Sequence, residues 1–173
     1  MEVRPARVGD AGQIAEIHVR SWQGVYRGLM PQEYLDSLDP ARRAATWADR
    51  ITDGDWTRGG CLVVAGDDGK LAGFAAVGGT RDPDPGTQAV GEVMAIYVAP
   101  QAWGLGLGRE LMAASLRHLS RCGYGQVTLW VLESNTRARR FYAAAGFGPD
   151  GATKMDESLG FPIREVRYRR PLP

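Results

Sequence analysis

The stretch from Val98 to Leu116 constrains this chain more than any other. An apolar, β-branched run from Val93 to Val98 stops at Pro100. Three glycines follow at alternate positions, Gly104, Gly106 and Gly108. Leu107, Leu111, Met112 and Leu116 then recur at helical spacing. The order is strand, glycine loop, helix. Glycine lets a backbone approach an anion closely, because no Cβ stands in the way. The first turn of a helix adds unpaired N–H groups and the positive end of the helix dipole. Such a unit suits a phosphate, most often a pyrophosphate. A glycine-rich structural turn without a ligand is the plainer alternative.

Two familiar glycine loops fail at specific positions. A dinucleotide fingerprint, Gly-x-Gly-x-x-Gly, needs a third glycine where Arg109 stands. The frame starting at Gly106 meets Leu111 instead. A nucleoside-triphosphate loop needs Gly-Lys-Ser or Gly-Lys-Thr, and the chain has neither. A loop for the pyrophosphate of coenzyme A, Gln/Arg-x-x-Gly-x-Gly/Ala, remains.

Around this unit the pattern alternates in type. A short strand, Glu2 to Ala6, carries Pro5 and reads as a sheet edge. Asp10 with Gln13 reads as a capping box opening a helix from Ala11 to Val25. Pro31 starts a second helix with Tyr34, Leu35 and Leu38. Asp39-Pro40 starts a third, with Ala44, Trp47, Ala48 and Ile51. Strands are expected at Cys61 to Ala65 and Leu71 to Val77, joined by a turn at Asp67-Asp68-Gly69-Lys70. A loop from Gly78 to Thr87 centres on Asp82 to Gly86. Glu92 to Val98 is the central strand, and Gln126 to Leu132 another. Ser134-Asn135 caps a helix ending at Ala145-Gly146, and Arg164 to Arg170 closes the chain as a strand. The result is an α/β or α+β chain, a twisted mixed sheet flanked by helices. No linker divides it, so residues 1–173 are expected to form a single domain.

Composition narrows the partners. Among 173 residues the formal net charge is +1, which gives no pull toward nucleic acid or an anionic membrane. The arginines at 137, 139 and 140, and at 167, 169 and 170, read as solvated faces. Two cysteines, Cys61 and Cys122, make neither a disulfide framework nor a metal site. They fit a reducing, cytoplasmic setting. No apolar run approaches the roughly 20 residues of a membrane span.

Two stretches carry a family resemblance. One is Ile96-Tyr97-Val98-Ala99-Pro100 through Gly108-Arg109-Glu110-Leu111-Met112. The other is Leu129-Trp130-Val131-Leu132-Glu133-Ser134-Asn135 with Ala138, Phe141-Tyr142 and Gly146-Phe147. Together they resemble the GNAT superfamily of N-acetyltransferases. The resemblance implies acetyl-CoA as co-substrate and no metal. It places the CoA-binding groups at Ile96, Tyr97, Val98, Gly104, Leu105, Gly106, Leu107, Gly108, Arg109 and Asn135. It also implies that backbone groups of Ile96 and Val98 pair with the pantetheine arm as another strand would. Gln101-x-x-Gly104-x-Gly106 matches the family expression literally. Distance from Pro100 and the helix start favour Trp103-x-x-Gly106-x-Gly108, which puts Trp103 where a polar side chain is usual.

Amine acetylation needs a neutral amine, donors for an oxyanion and a proton for the leaving thiolate. Direct transfer between two bound substrates needs no covalent intermediate. Tyr142 is the candidate acid: a phenol is protonated at neutral pH, and the resemblance sets it beside the sulfur. Periodicity alone makes it a packing residue beside Phe141. Glu92 is the candidate base, expected on one face with Met94, Ile96 and Val98, where burial favours proton uptake. An exposed carboxylate at a strand end, or a water, is the alternative. Trp22, Tyr26, Tyr34 and Trp47 are candidates for the acceptor side, at least two of them core, with Trp22 and Tyr26 favoured. His18 and His118 have no paired motif. The expected acceptor is a small-molecule amine. A protein N-terminus or lysine, or a non-catalytic acyl-CoA sensor, are the alternatives. An exposed closing strand leaves room for a homodimer.

Overall fold

The computed structural model describes residues 2–66, 68–83 and 89–173. Asp67 of the expected hairpin turn, and Asp84 to Gly86 of the loop centre, lie outside them. Seven strands form one sheet: β1 (Val3–Pro5), β2 (Gly60–Ala65), β3 (Leu71–Gly79), β4 (Val90–Val98), β5 (Gln126–Leu132), β6 (Gly148–Asp156) and β7 (Ile163–Pro171). Their spatial order is β1-β2-β3-β4-β5-β7-β6. Every neighbouring pair is antiparallel except β4 and β5. Among the described residues five α-helices flank the sheet: α1 (Ala11–Val25), α2 (Gln32–Asp36), α3 (Pro40–Thr52), α4 (Leu107–Arg121) and α5 (Thr136–Ala144). Among the described residues no helix is long and apolar enough to cross a membrane.

Two apolar layers hold the sheet. On one face, Ile14, Ala15 and Ile17 of α1 and Trp47 of α3 pack on Val63 and Phe74. On the other, Leu107 and Leu111 of α4 cover Leu62, Val64 and Ala75, while Met112 and Leu119 cover Val93, Val127 and Leu129. Helix α4 lies close because Gly73 has no side chain. A Cβ there would stand 2.9 Å from Leu111 Cδ1 and from the Tyr97 carbonyl.

Four expectations are corrected. Strand β6 was not expected, since Gly148-Pro149-Asp150-Gly151 is poor strand material. It forms because β7 offers it an edge. The closing strand β7 is therefore internal, between β5 and β6, and gives no free edge for a dimer. Asp10 does not cap α1 with its side chain. Its carboxylate accepts from Arg4 at 2.7 Å and from the Arg7 amide at 2.7 Å, while Gln13 accepts from the Leu71 amide. Finally, the β3–β4 register slips between Ala76–Ala95 and Val77–Val93, so Met94 is an extra residue. The bulge breaks the alternation. Val93, Ile96 and Val98 now share the α4 face, with Ala95 and Tyr97 opposite.

His18 is buried among aromatic rings and accepts a hydrogen bond from Trp47 Nε1 at 3.2 Å on Nδ1. Burial, with Arg43 and Arg50 nearby, lowers its pKa from 6.5 to about 3. The unfolded chain therefore binds a proton below pH 6.5 that the folded protein refuses. The stability from the neutral ring is complete above pH 6.5 and is lost as pH falls toward 3, at about 1.4 kcal/mol per pH unit. Denaturant melts between pH 7 and 5 should show this slope in the native protein. A folded His18→Leu variant should show a shallower one.

Candidate active site

Strands β4 and β5 pair only through Val90–Gln126, Gly91–Val127 and Glu92–Thr128. Beyond that point they part. β4 stays on β3 as far as Val98, and β5 stays on β7 as far as Leu132. Between them lies a cleft of about 500 Å³, lined by Val93 to Val98 on one side and Trp130 to Leu132 on the other. Its remaining walls come from the end of α1 with Met30, the glycine loop with the start of α4, α5, and Ile163 and Glu165 of β7.

The open edge of β4 carries usable backbone groups. The Ala99 amide donates to Ala72, so these residues form a hydrogen-bonded pair. Antiparallel ladders alternate, so Val98 and Ile96, opposite Gly73 and Ala75, turn their N–H and C=O groups away from β3 and into the cleft. The Val98 carbonyl is already engaged. Trp103 Nε1 donates to it at 2.7 Å and Ser21 Oγ at 3.2 Å. Trp103 thus ties the loop to β4. Its ring also lies 4.0 Å from the Arg137 guanidinium carbon of α5.

The loop completes one end of the cleft. Helix α4 begins at Leu107, with Gly106 as its N-cap at φ 82°. Gly104 is also left-handed, at φ 83°. The amides of Arg109 and Glu110 turn back to the Gly106 carbonyl. Those of Leu107 and Gly108 begin the helix without an intrahelical acceptor and face the cleft end. Arg109 and Arg137 line this same end. Their charges and the helix terminus suit a pyrophosphate.

The expected residues divide as follows. Ile96, Tyr97, Val98, Gly104, Gly106, Leu107, Gly108, Arg109, Asn135, Tyr142, Trp22 and Tyr26 all line the cleft. Leu105 does not; it is 63% exposed. Asn135 also caps α5, its Oδ1 accepting from the Ala138 amide at 3.1 Å. Trp47 is core, and Tyr34 packs between Trp22 and Phe161 outside the cleft lining. His118 is buried against the Gly59 carbonyl, far from any paired motif.

Tyr142 is half-buried in the cleft wall, and burial raises its pKa, keeping it protonated at neutral pH. Tyr26 and Tyr97 are raised in the same way, and their hydroxyls lie 3.3 Å apart. Glu92 stands at the fork, not in the cleft lining. Its side chain is 1% exposed, accepts from the Arg81 amide at 2.9 Å and pairs with the Arg81 guanidinium. One carboxylate escaped notice in the sequence. Glu165 of β7 lines the cleft, although its setting, Arg164-Glu165-Val166-Arg167, reads as a solvated strand. Ile163, buried two residues earlier on the same face, is the signal that marks it.

The family model of the acetyltransferase (GNAT) family matches residues 15–147. An uncharacterized N-acetyltransferase of Bacillus subtilis, YuaI, is 32% identical over 165 residues, covering 95% of this chain and 89% of that protein. A mycothiol acetyltransferase of Stackebrandtia nassauensis is 38% identical over 139 residues, but the match spans only 44% of its length. The PaiA N-acetyltransferase of Thermoplasma acidophilum, solved with coenzyme A, superposes with a TM-score of 0.75 over 98% of both chains, at 18% identity. YncA of Salmonella typhimurium, solved with acetyl-CoA, gives 0.72 at 24% identity, over 100% of this chain and 94% of that one.

A branched side chain at Gly106 is strained at this φ by roughly 1–2 kcal/mol and displaces the first turn. Gly106→Val should weaken acetyl-CoA binding at least tenfold in calorimetry while leaving the circular dichroism spectrum unchanged. Unchanged affinity would count against the loop as the pyrophosphate site.

Proposed function

This chain belongs to the acetyltransferase (GNAT) family, and from that premise we propose that it moves the acetyl group of acetyl-CoA to a primary amine of a small molecule. One observation carries the reading: a strand edge with free amides, a helix-terminus anion site and a phenol meet in one cleft. Acetyl-CoA supplies the activated acetyl thioester. The amides of Ile96 and Val98 hold its arm along β4. The amides of Leu107 and Gly108, with Arg109 and Arg137, hold its phosphates. An amide of the open strand edge also serves as oxyanion donor. Tyr142, protonated at neutral pH, gives its proton to the departing sulfur.

Glu92 acts from a distance. Its carboxylate is committed to Arg81, so it positions the fork, and the amine gives its proton to water. The acceptor enters beside Trp22 and Tyr26 at the end of α1. The free thiols of Cys61 and Cys122 suit a reducing cytosol. A non-catalytic sensor would have no use for a proton donor in the cleft wall.

Thiol release from acetyl-CoA, measured with and without an amine panel, tests the reading. Release that depends on amine is expected. Tyr142→Phe should lower kcat by roughly 10²-fold or more, the size of a general-acid contribution, with acetyl-CoA affinity unchanged. Glu92→Gln should keep the shape of the pH–rate profile, whereas a base would lose its acidic limb. Normal turnover in Tyr142→Phe would remove the phenol from the chemistry.

A further inference from the structure

The cleft is electrically two-ended. Arg109 and Arg137 line the end at the glycine loop, and among the described lining residues Glu165 is the one carboxylate. It sits on β7 between Leu132 of β5 and Lys154 of β6. Its side chain is 18% exposed. Its charge acts on the phenols of Tyr26 and Tyr97, which line the same cleft. Arg81 and Arg167 lie on the same side of the sheet: Arg81 pairs with Glu92 and also feels the charge of Glu165, while Arg167 pairs with Asp82 and Asp150 and lies 5.7 Å from the Trp130 ring centroid.

A cation already rests at this place. Lys154 Nζ lies 3.3 Å from Glu165 Oε2 and 4.3 Å from the Trp130 ring centroid. Trp130 lines the cleft beside Glu165 and is fixed by its indole N–H, which donates to Asp82 at 2.9 Å. An anion and an aromatic face together form a seat for an ammonium group, stronger when water is excluded. Lys154 itself is 39% exposed and flexible enough to leave.

We propose that Glu165 and the face of Trp130 seat the ammonium of the acceptor, and that Lys154 occupies this seat until the acceptor displaces it. The inference rests on the acetyltransferase reading and deepens it. The favoured acceptor is a monocationic primary amine with an apolar or aromatic body, which Trp22 and Leu132 contact. A carboxylate next to the amine is disfavoured, because it would face Glu165.

The full chain, Glu165→Gln, Glu165→Asp and Lys154→Met are assayed for amine-dependent thiol release with a panel of primary amines including 2-phenylethylamine. Acetyl-CoA affinity is measured by calorimetry in parallel. Phenylalanine, the same body with a carboxylate beside the amine, is the matched control. Glu165→Gln should raise the amine KM at least tenfold and leave acetyl-CoA affinity within twofold. Glu165→Asp, which keeps the charge, should recover part of the loss. Lys154→Met should lower the amine KM severalfold, and phenylalanine should react at least tenfold less efficiently. An unchanged amine KM in Glu165→Gln overturns the proposal. So does a rise in KM for Lys154→Met, equal use of phenylalanine, or a native protein that binds acetyl-CoA and acetylates no amine in the panel. Failure to bind acetyl-CoA at all would instead overturn the acetyltransferase reading.

Discussion

The rest of the structure depends on the parting of β4 from β5 after three residue pairs. Two parallel strands in the middle of a sheet ordinarily satisfy each other's backbone along their length. Here the pairing ends at Glu92–Thr128, and the groups of Ile96 and Val98 are left facing a cleft. Each strand keeps its other neighbour, β3 or β7, so the sheet loses no integrity. The extra residue at Met94 re-aims β4 just beyond the fork, and the buried Glu92 carboxylate, paired with the exposed Arg81, anchors the fork itself. A buried carboxylate that lost its partner would cost several kcal/mol. This fixes the point of separation.

What the parting opens, other elements furnish. The glycine loop brings the start of α4 to one end of the cleft, where amides and arginines gather. Helix α5 brings Tyr142 to the middle. The end of α1 supplies Trp22 and Tyr26, and β5 and β7 supply Trp130 and Glu165. Positive charge at one end and negative at the other suit an anionic donor and a cationic acceptor meeting between them. Trp103 links these parts. By engaging the Val98 carbonyl and stacking on Arg137, it ties the loop to β4 and to α5.

The donor side was legible in the sequence because its chemistry needs local residue types. Left-handed turns need glycine at 104 and 106, and a helix start needs its apolar spacing at Leu107 and Leu111. Asn135 caps α5 where its type predicts. The acceptor side was harder to read because its determinants are not local. Glu165 lies among arginines and looks solvated; only the packing of Ile163 on α2 residues turns that face inward. Strand β6 has Gly, Pro and Asp where strands rarely do, and exists through β7. Glu92 looked like a cleft residue because a strict alternation was assumed. One bulge at Met94, which no residue type announces, moves it to the other side. Asp10 and Gln13 have the residue types of a capping box, but Arg4 and the Leu71 amide claim their side chains.

The central claim is that the open edge of β4 and the first turn of α4 together hold acetyl-CoA. Amide hydrogen exchange of the free and the acetyl-CoA-saturated protein reads both elements residue by residue. The account predicts new protection at Ile96, Val98, Leu107 and Gly108, with little change at Val90 and Gly91, where β4 is already paired with β5. Saturation with acetyl-CoA that leaves all four of those amides exchanging as before would contradict it.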